Sequence, residues 1–136
     1  TNTTSGATTA GTTGSTTPTN TTTTSAATVT LTTSSGPATG TITSSTCGTN
    51  TMNGACNNTL IGNISLSFSG SPSLGSYNVV PNAPTAGQVL VSYNGNFATG
   101  GSVLITVTNG KNVATFVNIT GTTPASYTLT GGFGCP

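Results

Sequence analysis

Three cysteines, one lysine and three tyrosines are the titratable side chains of this 136-residue chain, which has no Asp, no Glu and no His. No carboxylate can act as general base or nucleophile, and no imidazole can move protons near neutral pH. Neither a Ser-His-Asp nor a Cys-His arrangement can be assembled within the chain. Hard cations need converging oxygens, usually carboxylates. Zinc would rest on three sulfurs with no fourth ligand and no finger-like spacing. The expectation is a protein without catalytic residues, metal or cofactor.

The sulfurs come first among the remaining candidates. Cys47 and Cys56 bracket CGTNTMNGAC, which reads as a polar loop between two strands. A Cys47–Cys56 bridge would clamp that loop and offset a small core. Cys135 is then left free or available to another chain. Pairing of Cys135 with either of the others is the rival, because three cysteines allow three pairs. Lys111 reads as a solvated hairpin tip. An isopeptide bond from its amine is rejected, because that chemistry wants a nearby acid. Tyr77, Tyr93 and Tyr127 could stack on sugars, but each fits a strand pattern, and packing is the reading preferred. Asn-x-Ser/Thr acceptors for N-linked sugar occur at Asn2, Asn20, Asn57, Asn63 and Asn118. The hydroxyls around Pro18 are further candidates for O-linked sugar. Threonine is abundant but has no fixed repeat, so an ice-ordering face is a minor alternative.

These residues must be carried by strands. AATVTLTT sets Ala27, Val29 and Leu31 on one face and threonines on the other, the pattern of a half-buried strand. A weaker strand lies around Thr41 to Thr43. TLIGNISLSFSG is the clearest signal, with Leu60, Gly62, Ile64, Leu66 and Phe68 in phase. SYNVV follows, and then QVLVSYNG with Val89, Val91 and Tyr93 aligned. Val103, Ile105 and Val107 share a face, as do Val113, Val117 and Ile119, and then Tyr127, Leu129 and Phe133. Asn94-Gly95 and Asn109-Gly110 supply the positive φ that tight hairpins need. A hairpin is expected from Ser102 to Thr120 with its turn at Asn109 to Lys111. No segment carries a helical period. The expected fold is all-β: a single antiparallel β-sandwich, immunoglobulin-like or jelly-roll-like, of seven to eight strands behind an extended Thr-rich N-terminal segment. The division expected is residues 1–33 as that segment and 34–136 as the sandwich. Residues 1–25 hold too little apolar surface to offset the entropy of ordering them.

Charged residues are 1% of the chain, where an ordinary domain has about a quarter. One lysine cannot neutralise a phosphate backbone, which argues against nucleic acid. No apolar run approaches the roughly 20 residues of a membrane span. The Asn-linked acceptors and the start at Thr1 point to a processed, extracellular product. A neutral surface lacks the repulsion that keeps proteins apart, so either glycans hold the chain in solution or association is its working state.

A polar N terminus, a β-branched strand, a single sandwich and many glycan acceptors together resemble the subunits of extracellular thread-like or pilus-like filaments of archaea, built by donor-strand complementation. Residues 62–133 are also similar to small sandwich modules of secreted Bacteroidetes lipoproteins, though no lipidated N-terminal Cys is present. The filament resemblance implies a homopolymer of identical subunits at the cell surface, with a role in adhesion or cell–cell contact. It implies that a strand from residues 1–33, with Ala27, Val29 and Leu31 at its core, completes a neighbour's sheet. The alternative is a monomeric adhesin or glycan-binding sandwich on a glycosylated Thr-rich stalk.

Folding stability varies with pH only where groups titrate differently in the folded and unfolded chain. Between neutrality and about pH 2 the only carboxylate to protonate is the C terminus, with a reference pKa of about 3.5. Circular dichroism is therefore expected to show an unchanged β signal from pH 7 to about pH 2. A cooperative loss near pH 4 would contradict this.

Overall fold

The computed structural model describes residues 27–136. Asn2, Asn20, Pro18 and its neighbours, and the rest of the segment through residue 26 lie outside the described residues. Ten strands follow in order: β1 (Thr28–Thr33), β2 (Gly36–Cys47), β3 (Thr51–Cys56), β4 (Asn63–Phe68), β5 (Gly75–Val79), β6 (Gln88–Tyr93), β7 (Asn96–Phe97), β8 (Gly100–Thr108), β9 (Lys111–Gly121) and β10 (Tyr127–Gly134).

The sheet runs β4-β3-β2-β1-β10-β9-β8-β5-β6, and β6 pairs back onto β4. Nine strands therefore close on themselves as a barrel, and β7 adds to one end of β6. The expected sandwich of seven to eight strands is corrected on this point. The chain is all-β, but its first and last sheet neighbours bond to each other instead of forming two facing layers. Closure uses five antiparallel pairs, from Ile64↔Tyr93 to Phe68↔Val89. The other edge of β6 is shared. At its start it pairs parallel with β5 through Asn78↔Gln88 and Val79↔Val89. At its end it turns through Asn94-Gly95 into β7, pairing Tyr93 with Asn96.

Most apolar side chains point inward, and most hydroxyls and amides point outward. Val29, Leu31, Ile42, Met52, Ile64, Leu66, Phe68, Val89, Val91, Val103, Ile105, Phe116, Ile119, Leu129 and Phe133 are all buried in one core. A small barrel is filled by its own side chains. Here the filling pairs large rings with missing side chains. A Cβ on Gly54 would meet the Phe133 ring at 3.3 Å, and one on Gly121 would collide with the Tyr127 ring. Three aromatic pairs meet edge to face: Phe68–Tyr77, Tyr93–Tyr127 and Phe116–Phe133. One rim is closed by the β3–β4 turn, where Asn58 O accepts from Ile61 N and Gly62 N and Asn58 Oδ1 accepts from Leu60 N. That turn buries Ile61 completely and leaves Leu60 66% exposed. The strand phase expected for Leu60 fails there, because β4 begins only at Asn63.

The hairpin expected around Asn109-Gly110 forms, with β8 and β9 joined across Thr108↔Lys111 and φ of 52° and 75° at the two turn residues. The stretch between Cys47 and Cys56 is not a loop. β3 pairs with β2, setting Met52 opposite Cys47 and Cys56 opposite Ile42. The two sulfurs thus lie a strand length apart, roughly 16 Å at about 3.3 Å per residue. A disulfide needs Cα atoms within about 7 Å, so the expected Cys47–Cys56 bond cannot form. Cys47 is instead bonded to Cys135, their Cα atoms 5.8 Å apart. The earlier half of β2 is separated from β10 by β1, which pairs with both. Past Thr28, Ser45 Oγ donates to Gly134 O at 2.7 Å, and the disulfide ties the same two strands.

The bond closes a loop with a sequence separation of 88. Replacing both Cys47 and Cys135 with serine is expected to lower the unfolding free energy by roughly 2–4 kcal/mol, read by urea denaturation. Peptide mapping without reduction is expected to recover Cys47 joined to Cys135. Recovery of a Cys47–Cys56 peptide would contradict the assignment.

Candidate functional site

Donor-strand exchange needs an open groove and a strand free to leave. Ala27, Val29 and Leu31 offer neither. Val29 and Leu31 are buried in their own barrel, and Ala27 is half-buried against the same core. Their strand, β1, is bonded on both sides, to β2 from Thr28↔Thr41 to Thr33↔Gly36 and to β10 from Thr32↔Thr128 to Val29↔Gly131. The filament reading, with its pilus-like strand donation and its adhesive role, is overturned by this closure. The sandwich adhesin falls with it, since the sandwich does not exist.

The remaining candidates are dispersed over the barrel. Lys111 is exposed at the start of β9, beside the Asn109-Gly110 turn. Cys135 is taken up in the disulfide, so its expected role between subunits is corrected. Cys56 carries the free thiol instead, half-buried where a Cβ on Gly40 would collide with its Sγ. Asn57, Asn63 and Asn118 are all exposed. Tyr77 is held by its hydroxyl, which accepts from Ser73 N at 2.9 Å and donates to Ser73 O at 3.2 Å. Among the described residues no cluster of three or more metal-ligating side chains forms.

The most unusual polar group is inside. Tyr127 is 4% exposed, and its hydroxyl has no hydrogen-bond partner among the described residues. Its ring lies against the Gly121 backbone and meets the Tyr93 ring at 4.7 Å and 77°. Burial, with the neighbouring Tyr93 phenol adding to it, pushes the Tyr127 pKa up to about 12. Burial also raises that of Tyr93. The strand patterns predict packing in the core or on a sheet face for both tyrosines, but nothing in the sequence marks one hydroxyl as unpaired. Gly121, which admits the Tyr127 ring, lies close to it in sequence, yet no local pattern announces the close approach.

No family model, no curated protein and no solved structure matches this chain. The residues themselves therefore carry the functional reading. Among the described residues apolar side chains fill the lumen and the outside is mainly polar, with Leu60, Leu74, Phe97, Leu104, Val107 and Val117 as exposed exceptions, whereas a lipid-facing barrel carries a continuous apolar outer band.

The paired tyrosines set the alkaline limit. A tyrosine whose pKa is raised in the folded state contributes stability that is fully present below its unfolded pKa of about 10. That contribution is lost as pH rises through the folded value, because only the unfolded chain can ionise readily. Tyr127→Phe removes an unpaired buried hydroxyl and is expected to raise stability at pH 7 by about 1 kcal/mol. It is also expected to lessen the loss of stability between about pH 10 and 12, with Tyr93 leaving a remainder. Urea denaturation at neutral and alkaline pH measures both effects. A destabilised Tyr127→Phe variant would show that the hydroxyl has a partner.

Proposed function

We propose that this chain is a non-catalytic structural module of an extracellular layer, presenting a surface of hydroxyls and amides that does not change with pH. The observation that carries this reading is the combination of a lumen filled by apolar side chains with a chain that lacks Asp, Glu and His. Among the described residues the interior is filled by side chains, unlike the larger barrels that enclose ligand cavities. The absence of carboxylates and imidazoles removes the groups through which most acid and base catalysis operates.

The outer face supports the same role. Thr28, Thr30 and Thr32 stand opposite Thr41, Thr39 and Pro37, and Thr30 and Thr39 share a hydrogen bond at 3.0 Å between their hydroxyls. Such groups bind water at any ordinary pH. An extracellular location fits the disulfide, since such bonds persist in oxidising compartments. Homotypic association fits the lack of charge repulsion. In this reading it would proceed by contact between closed barrels, without exchange of strands.

Fractionation of the source cells, with immunogold labelling of intact cells, tests the proposal. Abundant label on the outer surface, and recovery of the chain in the surface fraction, are expected. A chain confined to the cytoplasm, with Cys47 and Cys135 as free thiols, would overturn it.

A further inference from the structure

We propose that Asn118 is a site of N-linked glycosylation, and that the β-bulge around it is built to present it. This inference rests on the extracellular reading above. Asn118 opens the triplet Asn118-Ile119-Thr120, is exposed and has a φ of 45°. Among the described residues three non-glycine residues have positive φ, and two of them, Asn94 and Asn109, precede glycine in two-residue hairpins that require it. Asn118 lies in the interior of the 11-residue strand β9, where no turn requires that conformation.

The distortion involves three strands. Pairing of β9 with β10 runs to Phe116↔Gly131 and resumes at Ile119↔Leu129. Pairing with β8 runs to Val117↔Ser102 and resumes at Thr120↔Gly100. Residues on both sides are glycines with positive φ, Gly101 at 93° and Gly131 at 102°. A Cβ on Gly101 would collide with Asn118 O. Bulges commonly re-aim a side chain, and an uncommon backbone conformation is a reason to ask what it serves. Here the side chain re-aimed is the one that opens an acceptor triplet.

The other two acceptors in the described residues are engaged differently. Asn57 acts as a strand partner for β2: its N–H donates to Thr41 O at 3.0 Å, and its Oδ1 accepts from Thr41 N at 2.9 Å. Asn63 pairs with Ala55 and accepts from Asn94 N at 2.8 Å, which fixes its backbone between neighbouring segments. Near Asn118 two apolar side chains are partly exposed, Val117 at 44% and Leu104 at 39%, among polar neighbours such as Thr115 and Ser102. A sugar chain at Asn118 would shield both.

The donor is an oligosaccharide linked through phosphate to a polyprenyl lipid. The Asn118 Nδ2–C1 bond forms as the C1–O bond to the lipid phosphate breaks, and the phosphate leaves with the electron pair. The proton lost from Nδ2 goes to a base on the transferase, since this chain has no side-chain carboxylate to receive it.

Glycopeptide mass mapping of the protein purified from its own cell surface tests the assignment. Asn118 is expected to carry glycan in most molecules. Thr120→Ala is expected to remove that glycan while leaving the circular dichroism spectrum unchanged. Surface-recovered protein with Asn118 bare would overturn this inference and leave the structural role intact. A cytoplasmic chain with every acceptor bare would overturn both. The wild-type map decides the matter even where the variant fails to fold.

Discussion

Pairing of β4 with β6 is the contact on which the rest of this protein depends. Without the five pairs from Ile64↔Tyr93 to Phe68↔Val89, the sheet would end in two open edges. Proteins commonly guard such edges with lysine, inward-pointing charges or proline. With one Lys and no acidic residue, this sequence has almost no charge to spend on that task. Closing the barrel removes the exposed ladder groups outright. It also explains why strand donation fails as a mechanism here: the position that an incoming strand would occupy is held by the chain's own β1.

Closure dictates the interior. The core is small for the length of sheet that surrounds it, so space is filled by setting rings against glycines instead of adding aliphatic layers. Gly54 under Phe133 and Gly121 under Tyr127 are the two clearest cases. The same economy has a cost at Tyr127. Its ring fills the space against Gly121, while its hydroxyl is left without a partner among the described residues. A phenol is the mildest titratable group to bury in this way, since it stays neutral until the pH is well above neutrality. In a carboxylate-free chain, the one clear electrostatic weakness is consequently moved to alkali.

Local signals were legible in the sequence, and long-range ones were not. Alternation located the inward faces of β4, β6, β8 and β10, and Asn109-Gly110 located its hairpin. Period two tells which face of a strand is buried, but not which strand lies beside it. A sandwich and a barrel built from the same strands are thus alike in pattern. The parallel contact of β5 with β6 is only two pairs long and leaves no trace in composition. Alternation predicts one face for Val113, Val117 and Ile119, yet Val117 is exposed and Ile119 is buried. The bulge inserted between them reverses the parity, as any one-residue slip in a strand must. The cysteine error has a similar origin. The eight positions between Cys47 and Cys56 read as a loop to be clamped, but they hold a turn and most of β3, and pairing of β3 with β2 carries Cys56 away from Cys47.

The outside of the barrel poses a different problem from the inside. Closed ladders prevent edge pairing, and neutral hydroxyls hold water, but neither repels an identical neighbour. What then determines association is the distribution of exposed apolar side chains. Leu60 and Leu74 belong to turns and Phe97 to the short strand β7. Leu104 and Val117 are different, because they occupy adjacent strands of the same outer wall, where Leu104 faces Thr115 and Val117 faces Ser102. These two side chains lie next to the bulge at Asn118. On a surface with so little charge, steric cover is the remaining way to keep these side chains from a copy of the chain, and the bulge places an acceptor amide where that cover would start.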